Sequence, residues 1–213
     1  MASPARDGGR RARAPADPTA GLLLVSIRTK IRKWERLVSE TVYACRVFAL
    51  RRERNRSPRD HRTHDFFVLD APEWVNIIPV TADGRVVMIW QYRHGVDEIT
   101  LEIPGGTVDP DDASPLHAAR REMREETGYD SEDIVALGAI HPNPAIQNNR
   151  CHTFLARAVA RREEPRFEST EETEVVLVPL AEIPALVRQG SISHALVVVA
   201  FYWHDLLRRV QPA

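Results

Sequence analysis

Three glutamates at the C-terminal end of one predicted helix constrain this chain more than any other feature. A serine cap, a proline at the first helical position and a terminal glycine predict a helix over residues 115–127. Glu122, Glu125 and Glu126 are spaced i, i+3 and i+4, so their side chains share one helical face. Like charges at this spacing repel each other, and the helix macrodipole also disfavours negative charge at its C-terminal end. The pattern therefore needs a compensating positive charge.

Two interpretations of this helix end are open from the residues alone. Arg120, Arg121 and Arg124 lie next to the glutamates in the sequence, which is typical of an ordinary solvated and charged helix. The Gly105-Gly106 pair upstream favours a cation site instead, because glycine lets backbone carbonyls approach an ion closely. Ligands that are all oxygen atoms indicate a hard ion, Mg²⁺ or Mn²⁺.

Composition excludes several classes of protein. The chain has 213 residues with 43% hydrophobic content, enough for one buried core, and its net charge of −1 argues against a dedicated nucleic-acid binder. No apolar run is long enough to span a bilayer, so no membrane partner is expected. The only cysteines are Cys45 and Cys151, which favours a reducing compartment and predicts a cytoplasmic protein.

The chain divides into three predicted parts. Residues 1–30 form a tail whose first twenty residues are rich in Arg, Pro and Ala, and we expect disorder there; an organelle transit peptide is the alternative interpretation. Residues 31–70 form an N-terminal β segment that opens with a short extended pair, and its polar stretch 51–64 is predicted to be a solvated loop. Residues 71–213 form the main domain.

The main domain alternates strands and helices. The Asp83-Gly84 pair between two apolar runs predicts a hairpin. Further strands are predicted at 134–140, 151–158 and 174–179. A short helix is predicted to open at 184–187 and to end at Gly190, and a final helix is predicted at 194–207. The fold class is therefore α/β (α+β), with helices covering a mixed sheet.

The helix and its upstream loop resemble the Nudix box. The positions that match the second half of that pattern are Arg121, Glu122, Met123, Glu125, Glu126, Gly128 and Tyr129. The first half departs from it, because Asp112 stands at the position of a glutamate and one extra residue precedes the helix.

The resemblance extends to the ADP-ribose pyrophosphatase branch of the Nudix hydrolases over roughly residues 35–207. It is carried by Gln91-Tyr92-Arg93, by the run from Leu101 to Gly106, and by Pro144. It implies the Nudix fold, an α/β/α sandwich with a mixed β-sheet. It also implies a homodimer in which the N-terminal segment packs on, or swaps with, the partner.

The resemblance also implies the metal site. Glu122, Glu125 and Glu126 would ligate Mg²⁺, with Mn²⁺ as an alternative, and the Gly105 carbonyl would complete the coordination. The matching half of the box retains each glutamate, which argues against a non-catalytic sensor built on the same fold.

Other catalytic and substrate-binding residues are expected outside the helix. The general base in this branch often lies in a late acidic loop, and Glu171 or Glu172 fits that place here, although a solvated acidic loop is the plainer interpretation. The substrate-binding candidates are Arg93, Glu102, Arg121 and Pro144. Arg93 and Glu102 reach a ribose or phosphate in one interpretation and form a strand-end salt bridge in the other.

The predicted reaction is hydrolysis of a nucleoside diphosphate sugar such as ADP-ribose to a nucleoside monophosphate and a sugar phosphate. A GDP-sugar or a dinucleoside polyphosphate is the alternative substrate. A nucleotide sensor is the alternative from a different functional class.

Overall fold

The computed structural model describes residues 29–166 and 172–210. Most of the predicted N-terminal tail lies outside the described residues, and so does Glu171. Trp34 begins a compact unit that contains the described strands and helices. Within the described ranges, no helix is both long and apolar enough to cross a membrane.

A three-stranded antiparallel sheet forms the N-terminal segment. Its strands are β1 (Glu35–Ala44), β2 (Ala49–Arg56) and β3 (Thr63–Asp70), paired in the order β1-β2-β3. Hydrogen bonds between β3 and the loop before β10 (Cys151–Arg161) hold this sheet on the rest of the unit, among them one from Leu69 N–H to the Ile146 carbonyl at 2.7 Å.

The prediction of a loop over residues 51–64 is wrong for much of its length, since β2 continues to residue 56 and β3 begins at residue 63. The arginines of β2 pair with acidic residues on both neighbouring strands. Arg52 Nε donates to Glu40 at 2.7 Å, and Arg54 Nε donates to Asp65 at 2.8 Å. Cross-strand ion pairs thus support a strand whose composition alone indicated a loop.

The main sheet has eight strands. They are β4 (Trp74–Thr81), β5 (Arg85–Arg93), β6 (Glu98–Glu102), β7 (Gly105–Thr107), β8 (Tyr129–Asp130), β9 (Ile134–Ile140), β10 and β11 (Thr173–Pro179). The central order is β11-β5-β4-β10-β8, while β6 pairs with β5, β7 with β4 and β9 with β10. Strand β10 runs parallel to β4 and the other pairs are antiparallel, so the sheet is mixed, as predicted.

Helices cover both faces of this sheet. They are α1 (Pro115–Thr127), α2 (Ile183–Arg188) and α3 (Ala195–Val210), with a 3₁₀ turn Leu180–Glu182 before α2. One buried cluster packs Met123 of α1 against Val75 and Val87, and a second packs Phe201 of α3 against Met88. The two clusters give the α/β/α sandwich that the resemblance to the Nudix family implied.

Strands β4 and β5 separate at one end of the sheet, and this separation positions the active-site loop. They pair at Val80 and Val86, whereas further along β7 pairs with β4 and β6 pairs with β5. A Cβ at Gly105 would lie 2.3 Å from the Val75 carbonyl oxygen, so only glycine lets β7 lie this close to β4. The loop between β6 and β7 is thereby held beside α1.

Gly128 terminates α1 and anchors the segment that follows β10. Its φ is 74°, and its N–H donates to the Arg124 carbonyl at 2.8 Å, as in a left-handed helix cap. Its own carbonyl accepts the N–H groups of Arg162 at 2.8 Å and Glu163 at 3.2 Å. A Cβ at position 128 would lie 2.0 Å from the Glu163 carbonyl oxygen.

Gly128→Ala should therefore destabilise the protein more than Gly84→Ala does. Both glycines have positive φ, 74° and 80°, and the left-handed backbone costs an L-residue about 1–2 kcal/mol. Gly84 has open space around its Cβ position, whereas Gly128 adds a clash with backbone. We expect the free energy of unfolding from urea titration to fall by about 1 kcal/mol for Gly84→Ala and by at least twice that for Gly128→Ala. Equal losses would contradict this account of the helix end.

Candidate active site

A cleft of about 980 Å³ opens beside the C-terminal half of α1 and the loop before it. The predicted site residues that line it are Arg93, Glu102, Gly105, Arg121, Glu122, Glu125 and Glu126. Pro144 lies in an exposed turn and does not line this cleft. Glu172 is exposed just before β11, also outside the lining. The structure thus brings together the helical glutamates and the strand-end pair.

Glu126 is the most deeply buried of the three glutamates, with 5% of its surface exposed. Its Oε2 accepts the Gly105 N–H at 2.9 Å, which ties the helix to the start of β7. The backbone carbonyl of Glu126 accepts the Thr173 hydroxyl at 3.0 Å. Both the side chain and the backbone of this residue are therefore fixed.

Glu122 and Glu125 share a single guanidinium nitrogen. Arg121 Nη1 donates to Glu122 Oε1 and to Glu125 Oε2, each at 3.0 Å. The carboxylate of Glu122 also lies against Gly106, where a Cβ would be 2.4 Å from Glu122 Oε1. A side chain at position 106 would displace this carboxylate, so glycine leaves room for Glu122 in its observed position.

The other side of the Arg121 guanidinium faces the loop that departs from the Nudix pattern. Its Nη2 donates to Asp112 Oδ2 at 2.9 Å and to the Thr107 carbonyl at 3.1 Å. The hydrogen bond from Arg121 holds the pKa of Asp112 well below its usual range, and His117 Nδ1 contacts the same carboxylate at 2.8 Å. Asp112 therefore serves as the loop partner of Arg121.

These contacts give Arg121 protein partners on both sides. Hydrogen bonding to Asp112 raises the pKa of the guanidinium, which remains a cation at every pH of interest. The substrate-binding role expected for Arg121 stays a prediction, whereas a positioning role is supported directly by its geometry.

The three helical glutamates offer oxygen atoms, which are the donor atoms that a hard divalent ion prefers. Among residues 29–166 and 172–210, no three acidic, His or Cys side chains converge on one point in the way a bound metal requires. However, the carboxylates of Glu122 and Glu125 already share one cation, the Arg121 guanidinium, and Glu126 is held next to them. An all-oxygen set of this charge suits Mg²⁺ or Mn²⁺.

Arg93 and Glu102 form a bidentate ion pair at the strand end. Arg93 Nε and Nη2 donate to the two oxygens of Glu102 at 2.8 and 2.6 Å, and the Thr100 hydroxyl donates to the same carboxylate at 2.6 Å. Burial opposes ionisation of Glu102, but the bonds from Arg93 outweigh it and lower the pKa of this carboxyl. The salt-bridge interpretation is therefore the one observed, and the Arg93 side chain is 39% exposed at the cleft.

His194, which was not among the predicted site residues, lines the cleft immediately before α3. Its Nδ1 accepts the Leu196 N–H at 3.2 Å, which leaves the proton of the neutral ring on Nε2. Burial lowers the pKa of His194, and the carboxylate of Glu102, 3.9 Å from Nε2, opposes that shift.

Several lining residues were not singled out from the sequence. Arg46 and Val47 come from the turn between β1 and β2, and Asn76 comes from β4. Asn76 is 6% exposed, and its Oδ1 has no hydrogen-bond partner in the described part of the chain. No local pattern marks these positions, because they reach the cleft only through pairing of distant strands.

Comparison with known proteins identifies the family. A sequence model of the NUDIX domain matches residues 71–198. The chain is 28% identical to an ADP-ribose pyrophosphatase of Bacillus subtilis (strain 168), over 68% of this chain and 78% of that protein. It is 27% identical to an ADP-ribose pyrophosphatase of Mycobacterium tuberculosis, over 78% of this chain and 80% of that protein.

A solved structure of an ADP compounds hydrolase shares the fold. The two structures superpose with a TM-score of 0.76 at 22% sequence identity, covering 87% of this chain and 99% of the other. The predicted family and fold are therefore confirmed. Since the domain match spans more than half of the chain, this protein belongs to the NUDIX domain family, as a Nudix hydrolase.

Proposed function

We propose that this Nudix hydrolase cleaves the pyrophosphate bond of a nucleoside diphosphate sugar of the ADP-ribose class. The observation that carries the proposal is the set of three carboxylates, Glu122, Glu125 and Glu126, along one wall of the cleft. The relatives named ADP-ribose pyrophosphatases support the choice of substrate class. The products are a nucleoside monophosphate and a sugar phosphate.

Mg²⁺ is the proposed cofactor, with Mn²⁺ as the alternative, held by the three glutamates and the Gly105 carbonyl. When bound, the ion neutralises charge on both phosphates and lowers the pKa of an attacking water, effects that together contribute several kcal/mol. Water oxygen forms a bond to one phosphorus, and the bond from that phosphorus to the bridging oxygen breaks.

Residues of the chain hold these ligands in place. The Gly105 N–H donates to Glu126 Oε2 at 2.9 Å and so holds this carboxylate beside the start of β7. Arg121 donates to both Glu122 and Glu125, so it holds the two carboxylates next to each other. Glu122 and Glu125 would hold a divalent ion through these same carboxylates, and Asp112 gives Arg121 a further partner outside the proposed metal site.

The general base is proposed to be Glu171 or Glu172. A carboxylate there accepts the proton that the attacking water loses, and the leaving phosphate departs as an anion without needing a proton. Glu172 is exposed and directly precedes β11, which begins at the cleft residue Thr173.

Arg93 is the proposed contact to the substrate among the strand-end residues. Its guanidinium is partly exposed at the cleft, and the buried carboxylate of Glu102 orients it through two hydrogen bonds. A planar, oriented guanidinium suits recognition of a phosphate oxygen.

A homodimer through the N-terminal sheet is proposed as the assembly. Each residue of β1 is exposed in the single chain, and Val38, Tyr43 and Phe67 are 53%, 57% and 54% exposed. Exposed apolar side chains concentrated on one small sheet mark an interaction surface. A second copy of the chain is the occupant that the resemblance to the ADP-ribose pyrophosphatase branch favours.

A cytoplasmic location is proposed as well. Cys45 and Cys151 are both free thiols. Burial raises the pKa of Cys151 to about 12, so this thiol is protonated and unreactive at neutral pH.

The substrate proposal predicts the products of a defined assay. Phosphorus NMR should follow ADP-ribose, a GDP-sugar and a dinucleoside polyphosphate, each with Mg²⁺. We expect ADP-ribose to give two monophosphate signals in equal amounts, and chelation of the metal to abolish this change. Faster turnover of another of these compounds would identify that compound, and not ADP-ribose, as the preferred substrate. Nucleotide binding without turnover of any compound would support the sensor instead.

Glu126→Gln should remove most activity without unfolding the protein. The amide keeps a carbonyl oxygen for the Gly105 N–H but loses the charge that holds the metal. We expect kcat to fall about 10³-fold, equivalent to about 4 kcal/mol of transition-state stabilisation. The melting temperature serves as the control and should change little. Near-normal kcat in the folded variant would rule out this metal assignment.

The dimer proposal predicts the effect of a charge on β3. Phe67→Glu should convert the protein from a dimer to a monomer of 24.1 kDa, measured by light scattering after gel filtration. Tyr202→Glu is a matched control, because Tyr202 is an aromatic residue of α3 that is 60% exposed outside the sheet. A monomeric wild type, or a dimer that survives Phe67→Glu, would contradict the proposed interface.

A further inference from the structure

The two ring nitrogens of His194 face different parts of the structure. Nδ1 accepts the Leu196 N–H at 3.2 Å, in the first turn of α3. Nε2 lies 3.9 Å from Glu102 Oε2, and both His194 and Glu102 line the cleft. Since Nδ1 accepts a hydrogen bond, the ring is neutral and carries its proton on Nε2. One edge of the ring therefore caps α3, and the other edge holds a donor at the cleft.

The Nε2 donor of His194 makes no hydrogen bond within the part of the chain that the structure describes. The separation of 3.9 Å from Glu102 is too long for one. The Glu102 carboxylate already accepts two bonds from Arg93 and one from the Thr100 hydroxyl. The Nε2–H group is therefore available to water or to a ligand in the cleft.

Arg93 supplies a second donor group close to His194. Arg93 Nη2 is 2.6 Å from Glu102 Oε2, the same oxygen that lies 3.9 Å from His194 Nε2. The two nitrogens therefore cannot be further apart than these two distances added together. A phosphate that accepts a bond of about 2.9 Å on each of two oxygens bridges a gap of this size. Two donors, one of them a cation, suit an anionic acceptor.

A buried amide beside α3 also marks this wall of the cleft as polar. Asn76 lines the cleft from β4 and is 6% exposed. Its Nδ2 donates to the Leu196 carbonyl at 3.4 Å, whereas its Oδ1 has no partner among residues 29–166 and 172–210. Buried polar atoms are normally paired, because desolvation of an unpaired acceptor is unfavourable. An unpaired acceptor here indicates a wall that contacts a polar ligand.

We propose that His194 is a substrate-binding residue whose Nε2–H, together with the Arg93 guanidinium, binds one phosphate of the nucleoside diphosphate. This inference rests on the proposed function and adds a second residue to the phosphate contact proposed for Arg93. The guanidinium supplies the positive charge. The neutral ring adds a directional donor without placing a second cation in the partly buried wall of the cleft.

Two substitutions separate the two edges of the ring. His194→Asn keeps an oxygen near the position of Nδ1, and asparagine is a favoured N-cap, but the donor at the cleft is lost. His194→Gln places an amide nitrogen near the position of Nε2 and loses the acceptor for the Leu196 N–H. A role in capping α3 and a role in binding substrate therefore predict opposite rankings of these two variants.

Binding of ADP-ribose and of ADP is measured by isothermal titration calorimetry with divalent ions chelated, so that turnover does not interfere. We expect His194→Asn to weaken both ligands about tenfold, because a hydrogen bond to a charged phosphate is lost, and to keep the melting temperature. His194→Gln should bind both ligands within about threefold of the wild type and melt at a lower temperature. KM for ADP-ribose with Mg²⁺ should follow the same order.

His204→Asn is the matched control. His204 is a second histidine of α3, it is buried, and it does not line the cleft. The same substitution in the same helix therefore removes a histidine without touching the proposed phosphate contact. We expect the dissociation constants of both ligands to stay unchanged, whatever the effect on the melting temperature.

The outcomes separate this inference from the function it rests on. Wild-type affinity in His194→Asn overturns the substrate contact, and so does a loss of affinity that follows the melting temperature across both variants. Weaker binding of ADP-ribose with unchanged binding of ADP overturns the phosphate assignment, because ADP keeps both phosphates and lacks the second sugar. Hydrolysis by the wild type still stands in these cases. A wild type that neither binds nor hydrolyses ADP-ribose overturns the proposed function together with this inference.

Discussion

Negative charge at the C-terminal end of α1 is the constraint on which the rest of this structure depends. Three carboxylates lie where the helix macrodipole is also negative, and each must be offset by a donor or a cation. The backbone N–H of Gly105 and the guanidinium of Arg121 donate hydrogen bonds to the carboxylates. The Arg166 N–H and the Thr173 hydroxyl donate to the last backbone carbonyls of the helix. Elements distant in sequence are therefore held around one helix end.

The same constraint explains the local departures from the Nudix pattern. Asp112 stands in place of a glutamate after an extra loop residue, yet it reaches the Arg121 guanidinium and is only 3% exposed. The loop thus supplies a carboxylate that holds the arginine spanning Glu122 and Glu125.

Local patterns predicted the parts of the fold that local physics determines. Capping residues and periodicity placed α1 at residues 115–127, and the glutamate spacing predicted their shared face. The strand over residues 51–56 was missed because its arginines are stabilised by partners on other strands. Arg46 and Thr173 were missed for a related reason, since each reaches the site through strands that pair over long sequence distances. Such contacts leave no periodic signal.

The central claim is that the glutamates of α1 form one divalent-ion site. Binding of Mn²⁺, followed by the electron paramagnetic resonance signal of the free ion, tests it without relying on any substrate. The account predicts saturable binding by the wild type and at least tenfold weaker binding when Glu122, Glu125 and Glu126 are all replaced by glutamine. Equal affinity in that folded triple variant would contradict the account.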